Sequence, residues 1–247
     1  MKITRVDQFA PRNRTRLIRI STDTGIEGWA ESTLEGKPLS VPAAIDEFAE
    51  YLIGKDPLRI EHHWQQMYRS SFFRGGAHNM SAIAAINAAL WDISGKHYGV
   101  PSYMLMGGNV RDKIRVYAHW GIQDLSDEGL EASRDRLTML QKKGYTAYKA
   151  GPAGTWRGHE PPSRIDEFVK AAYTMREWVG DDVELCFDFH GKMTPGLAVE
   201  ICNEIKGMRP MFVEEPIPQE NPDALKRIQE QVSFPLATGE RLLSRWE

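Results

Sequence analysis

From about residue 114 the chain alternates short apolar segments with amphipathic ones, and few architectures accept that order. The segments IRVYAHW (114–120), AYKAG (147–151), ELCFDFH (184–190), MFVEEP (211–216) and PLATGE (235–240) read as strands. Helical patterns lie between them: residues 126–143, closed by Gly144, and residues 163–179. Two more open at Thr194-Pro195 and at Asn221-Pro222-Asp223. Each of these pairs sets a capping side chain before a proline, which suits the first helical turn. Short apolar strands separated by helices predict a parallel sheet covered by helices, open or closed into a barrel.

The preceding stretch has a different rhythm. LIRIST (17–22) and IEGWAE (26–31) flank Asp23-Thr24-Gly25, a hairpin turn. Helices are expected over residues 42–53, 60–69 and 81–94. Two or three strands followed by helices make an α+β domain. The fold class is therefore α/β, with an α+β domain over residues 1–113 and strand–helix units over 114–247. Trp29 and Trp91 are expected in the core.

Three of the strand ends carry acids: Asp188, Glu214 or Glu215, and Glu240. From 188 to 214 and from 214 to 240 the spacing is 26 residues, one strand–helix unit each. Equal repeats in a parallel sheet bring the same ends of neighbouring strands together, at the face where barrel enzymes keep their sites. Like charges so close repel strongly. A divalent cation resolves the conflict, and an all-oxygen set suits Mg²⁺ better than zinc. Alternation along the strand does not decide between Glu214 and Glu215. It does predict that His190 points to the same side as Asp188.

Composition narrows the partners. A net charge of −3 gives no reason to expect nucleic acid. The N-terminus lacks the apolar run of a signal peptide, and the apolar segment SAIAAINAAL is broken by Asn87, so no membrane span is expected. Cys186 and Cys202 form neither a disulfide framework nor a zinc set. A cytoplasmic protein is the expectation. His62-His63 lacks the spacing of a metal pair and reads as a solvated helix face; Arg74-Gly75-Gly76 is expected in a loop.

The motifs FDFHG, FVEEP and LATGE, with GIEGWAE, FFRGG, ALWDISGK and LMGGNVRDKI before them, resemble the enolase superfamily in its mandelate racemase branch. The nearest likeness is to acid-sugar dehydratases of the galactonate dehydratase type, and it runs along essentially the whole chain. The resemblance implies a capping domain over a (β/α)₇β barrel, with Mg²⁺ held by Asp188, Glu214 and Glu240. It implies proton removal next to a sugar-acid carboxylate, then loss of water. Enolase-superfamily sites pair a lysine or histidine base with Mg²⁺. His190 would protonate the departing hydroxide. Arg12 to Arg16 and the loop 31–37 would touch the polyol end of the substrate. A homo-oligomer is implied as well.

Two features depart from that pattern. Where racemases of the branch carry Lys-x-Lys, this chain reads Lys149-Ala150-Gly151, which argues against racemase chemistry. Lys149 is the second candidate catalytic residue, neutralising the substrate carboxylate or a ligand acid; a structural salt bridge is the alternative. The other departure is length. A capping domain of 113 residues leaves 134, room for about five units where a (β/α)₈ barrel needs eight. A TIM-type barrel with about five of eight strands is expected, as part of a longer protein whose general base lies beyond residue 247.

Overall fold

The computed structural model describes residues 1–11 and 14–247, which divide into two units. One comprises Met1–Asp112 with Leu242–Glu247, the other Lys113–Arg241.

The first unit holds an antiparallel sheet, β1 (Ile3–Phe9), β2 (Leu17–Thr22) and β3 (Glu27–Glu31), paired in that order. Sequence pattern places β2 and β3 and leaves β1 open. As an edge strand β1 carries Arg5 and Asp7, so its apolar alternation is faint; Asp7 pairs with Arg19 of β2 at 2.8 Å. Helices α1 (Ser40–Leu52), α2 (Ile60–Arg69), α3 (Ala77–Tyr98) and α4 (Ser102–Leu105) follow.

Helix α3 runs past both expected ends. It starts directly after Gly76, so the Arg74-Gly75-Gly76 stretch leads straight into a helix. Its alanines let it lie close to β3, where a Cβ on Gly28 would collide with the Ala89 carbonyl. The core joins Ile18 and Ile20 of the sheet to Ile45, Leu52, Ile83, Ile86, Leu90 and Ile93. Trp29 departs from expectation: it is 41% exposed, stacked on Phe9 and under the Arg19 guanidinium. His63 departs too, being 1% exposed, with Nδ1 at 2.9 Å from Tyr51 Oη and Nε2 at 2.8 Å from the Asp56 carbonyl. In the last segment Trp246 stacks on Tyr68 at 5.5 Å.

The second unit is strand–helix repeats: β4 (Ala118–His119), α5 (Asp127–Lys142), β5 (Ala147–Ala150), α6 (Pro162–Val179), β6 (Glu184–Asp188), α7 (Pro195–Ile205), β7 (Phe212–Glu214), α8 (Pro222–Gln229) and β8 (Leu236–Ala237). The five strands are parallel, each paired with the next in sequence. Strand β5 and nearly all of β6 are buried residue by residue, as strands covered on both faces must be. Ser126, Thr194 and Asn221 cap α5, α7 and α8 by accepting from the main-chain N–H three residues on. Such a cap contributes about 1 kcal/mol.

The two outer strands are shorter than expected. Of IRVYAHW only Ala118–His119 pair as strand, while Ile114, Val116 and Tyr117 are exposed. Having one neighbour, an outer strand forms a single ladder. Among the described residues no helix is long and apolar enough to cross a membrane. Cys186 and Cys202 are free and buried, and burial pushes their thiols up to about 11 and about 12.

Candidate metal centre

The parallel register builds half of the site. Asp188, the last residue of β6, lies directly beside Glu214, the last of β7. Leu185, Cys186 and Phe187, all fully buried, fix β6 in the core, so Asp188 is 3% exposed despite its charge. Glu240 arrives differently. The partner of Glu214 on β8 is Ala237, so Glu240 reaches in from the turn three residues further on. The second 26-residue spacing is thus a strand plus part of a loop. One carboxylate oxygen each from Asp188, Glu214 and Glu240 lie within 4.8 Å of one another.

Strong repulsion follows. At 4.8 Å and an effective dielectric near 20, two such charges cost about 3 kcal/mol. That applies to Asp188 and Glu214. The cost is smaller for Glu240, whose side chain is 45% exposed and screened by water. Lys149 offsets part of it: its Nζ donates to Asp188 Oδ2 at 2.7 Å and to Glu214 Oε2 at 2.8 Å. Burial works against this ammonium, yet the hydrogen bonds and charges of the two carboxylates prevail and raise its pKa. Lys149 is thus engaged with the acids, not free as a base.

His190 meets Asp188 by another route than strand alternation. Strand β6 ends at Asp188, Phe189 turns into the core, and His190 takes a left-handed backbone, φ 50°. That conformation costs roughly 1–2 kcal/mol for a residue with a side chain. The Asp188 carboxylate compensates by accepting the His190 main-chain N–H at 3.0 Å, a local turn that aspartate favours. The imidazole stays half-exposed, with Nε2 at 3.2 Å from Asp188 Oδ2. All five expected residues therefore meet.

Of the two acids the sequence left open, Glu214 joins the three-carboxylate group and Glu215 does not; Arg241 is a residue that sequence reasoning missed. Glu215, at φ 38°, is 1% exposed. Burial pushes its carboxyl above the usual range; Arg241 pulls it down, while Glu240, Asp188 and Glu214 add to the rise. Arg241 Nη1 lies 3.4 Å from Glu215 Oε2, and Nη2 lies 3.7 Å from Glu240 Oε1. An arginine directly after a strand-end acid was the available signal. With all groups ionised, four carboxylates face two fixed cations, an excess of two negative charges. An all-oxygen donor set with that excess fits a hard divalent ion. The Arg12–Arg16 expectation is only partly open to view, because Arg12 lies outside the described residues. In the first unit Arg14 pairs with Glu35 at 3.0 Å, and Arg16 N–H donates to Thr33 Oγ1.

Comparison with known proteins bears on this arrangement. Residues 10–107 match the family described as mandelate racemase / muconate lactonizing enzyme, N-terminal domain, and residues 132–247 the enolase C-terminal domain-like family. The chain is 30% identical to a mandelate racemase/muconate lactonizing enzyme from Jannaschia sp. CCS1, with a TM-score of 0.87 over 98% of this chain and 68% of that one. This chain belongs to the enolase superfamily, mandelate racemase/muconate lactonizing branch. Another superfamily structure, an enolase from Pantoea ananatis with bound D-gluconate and Mg, is 29% identical with a TM-score of 0.84, covering 98% of this chain and 66% of that one. A curated relative, the D-galactonate dehydratase of Variovorax paradoxus (strain S110), is 41% identical over all 247 residues. The chain spans 63% of that relative's length.

Proposed function

We propose that Asp188, Glu214 and Glu240 hold a Mg²⁺ ion, and that the whole protein is an acid-sugar dehydratase. Its substrate would be an aldonate, galactonate first among the candidates, and its product a 2-keto-3-deoxy acid. The observation that carries this reading is the convergence of three carboxylate oxygens within 4.8 Å at the ends of adjacent strands. The likeness to a D-galactonate dehydratase and to an enolase binding D-gluconate and Mg supports the substrate class. In this reading residues 1–113 serve as the capping domain and residues 114–247 as the part of the barrel that carries the ligands.

Bound there, the ion would supply Lewis-acid stabilisation of the negative charge that develops on a substrate carboxylate. The chain's own residues have separate roles. His190, half-exposed and 3.2 Å from Asp188 Oδ2, holds a proton at Nε2 and gives it to the hydroxide that leaves the substrate. The Asp188 carboxylate orients that ring. Lys149 offsets the charge of Asp188 and Glu214, letting two shielded acids sit side by side.

Two measurements test the reading. Calorimetric titration of Mg²⁺ or Mn²⁺ should give saturable binding that Asp188→Asn and Glu240→Gln each weaken at least tenfold; an absence of binding at millimolar ion rejects the centre. Incubating the whole protein with a panel of aldonates should yield a 2-keto-3-deoxy product that depends on His190. Epimerised acid without that product would assign a racemase instead.

A further inference from the structure

His190 and Gly191 are consecutive residues with left-handed backbones, φ 50° and 68°. A residue with a side chain stays there only where its surroundings over-determine it. Three hydrogen bonds do so. His190 N–H donates to Asp188 Oδ1 at 3.0 Å, and Gly191 N–H donates to the Glu215 carbonyl at 2.7 Å. The third crosses from beyond β8: Arg241 Nη2 donates to the His190 carbonyl at 3.0 Å.

We propose that Arg241 is a positioning residue that ties the His190 turn to the ends of β7 and β8, and so holds the imidazole beside Asp188. The guanidinium touches all three segments. Nη2 holds the His190 carbonyl and lies 3.7 Å from Glu240 Oε1, while Nη1 lies 3.4 Å from Glu215 Oε2 and donates to Gln219 Oε1 at 3.4 Å. Glu215 anchors the arrangement. Neither of its buried carboxylate oxygens accepts a hydrogen bond from any described residue, so the charge of Arg241 is what compensates it. Gly191 leaves the space: a Cβ there would lie 2.9 Å from Arg241 Nη1 and 3.2 Å from Pro218 Cα. A rigid, planar fork can serve acceptors on several segments at once, whereas a lysine ammonium ends a flexible stem.

The catalytic consequence rests on His190 being the proton donor; the structural coupling does not. The test uses the 247-residue chain, ¹⁵N-labelled on histidine, with His190→Ala to assign the ring signals. At fixed pH, Arg241→Lys and Arg241→Gln should shift the His190 imidazole nitrogens toward tautomer-averaged positions and broaden them. Gly191→Ala, which crowds the guanidinium, should give the same signature. Mn²⁺ affinity measured by calorimetry should fall about tenfold in Arg241→Lys, the usual scale when a group supporting a metal ligand is lost. Unchanged His190 signals in folded Arg241→Lys overturn the proposal, whatever the Mn²⁺ result. A wild-type chain that binds no Mn²⁺ would remove the metal reading while the imidazole signals still decide the coupling.

Discussion

The two units bury polar groups in opposite ways. Among the described residues of the first, the buried polar ones are Thr22, Ser32, His63 and Ser94, none of which carries a fixed charge. In the second they are Lys149, Asp188 and Glu215, all ionisable and all within one cluster at the strand ends. Burying ions is expensive unless they are paired. Here Lys149 and Asp188 pair with each other and Glu215 faces Arg241. The first unit is held by apolar contact and the second by apolar contact plus an electrostatic balance, so the two should respond to different perturbations.

The largest contrast should come from Lys149→Met. It leaves Asp188 and Glu214 shielded and uncompensated, and loss of one partner of a buried pair costs about 3–5 kcal/mol. Urea unfolding, localised by hydrogen exchange, should show the loss in residues 113–241 alone, with Mg²⁺ restoring part of it. A loss shared equally by both units would break the comparison. Ile86→Ala is the mirror experiment: a fully buried core residue of the first unit, costing about 2–4 kcal/mol there, with divalent-ion binding unchanged. Next in size is the ion itself. At a hundred times its dissociation constant it should stabilise the second unit by about 2.7 kcal/mol, and chelation should reverse this.

The smallest effect is a pH dependence in the first unit. Burial lowers the pKa of His63, against a weaker opposing pull from the Asp56 carbonyl. The folded state therefore binds that proton less readily than the unfolded chain. Its contribution is whole above about pH 6.5, the ordinary histidine value, and declines as pH falls from there toward the lowered folded value. Melting of the first unit between pH 8 and pH 5 should follow that slope, and His63→Phe should flatten it.

Much of this architecture is legible in the order of residues, for identifiable reasons. Strand–helix periodicity implies the parallel sheet, and the capping residues Thr194 and Asn221 are readable because their chemistry is local. That Asp188 meets one of Glu214 and Glu215 can be expected because the strand–helix repeat brings the ends of neighbouring parallel strands together. What stays hidden depends on contacts distant in sequence. Whether Glu214 or Glu215 faces the acids is set by the register of β7 against β6 and β8. His190 reaches Asp188 through a left-handed turn that no alternation rule describes. His63 is buried because Tyr51 and the Asp56 carbonyl satisfy both ring nitrogens, partners that a helix-face argument cannot see. Arg241 makes its bond to His190 across 51 residues.

The proposed ligands are mounted unequally: Asp188 and Glu214 sit in a hydrogen-bonded ladder, Glu240 on a short arm past β8. Grip and release can therefore be adjusted separately. Changes in the arm at residues 238–239 would retime the exchange of an ion with water and leave the two-point cradle in place, whereas a slip of one residue in the ladder would abolish the cradle itself.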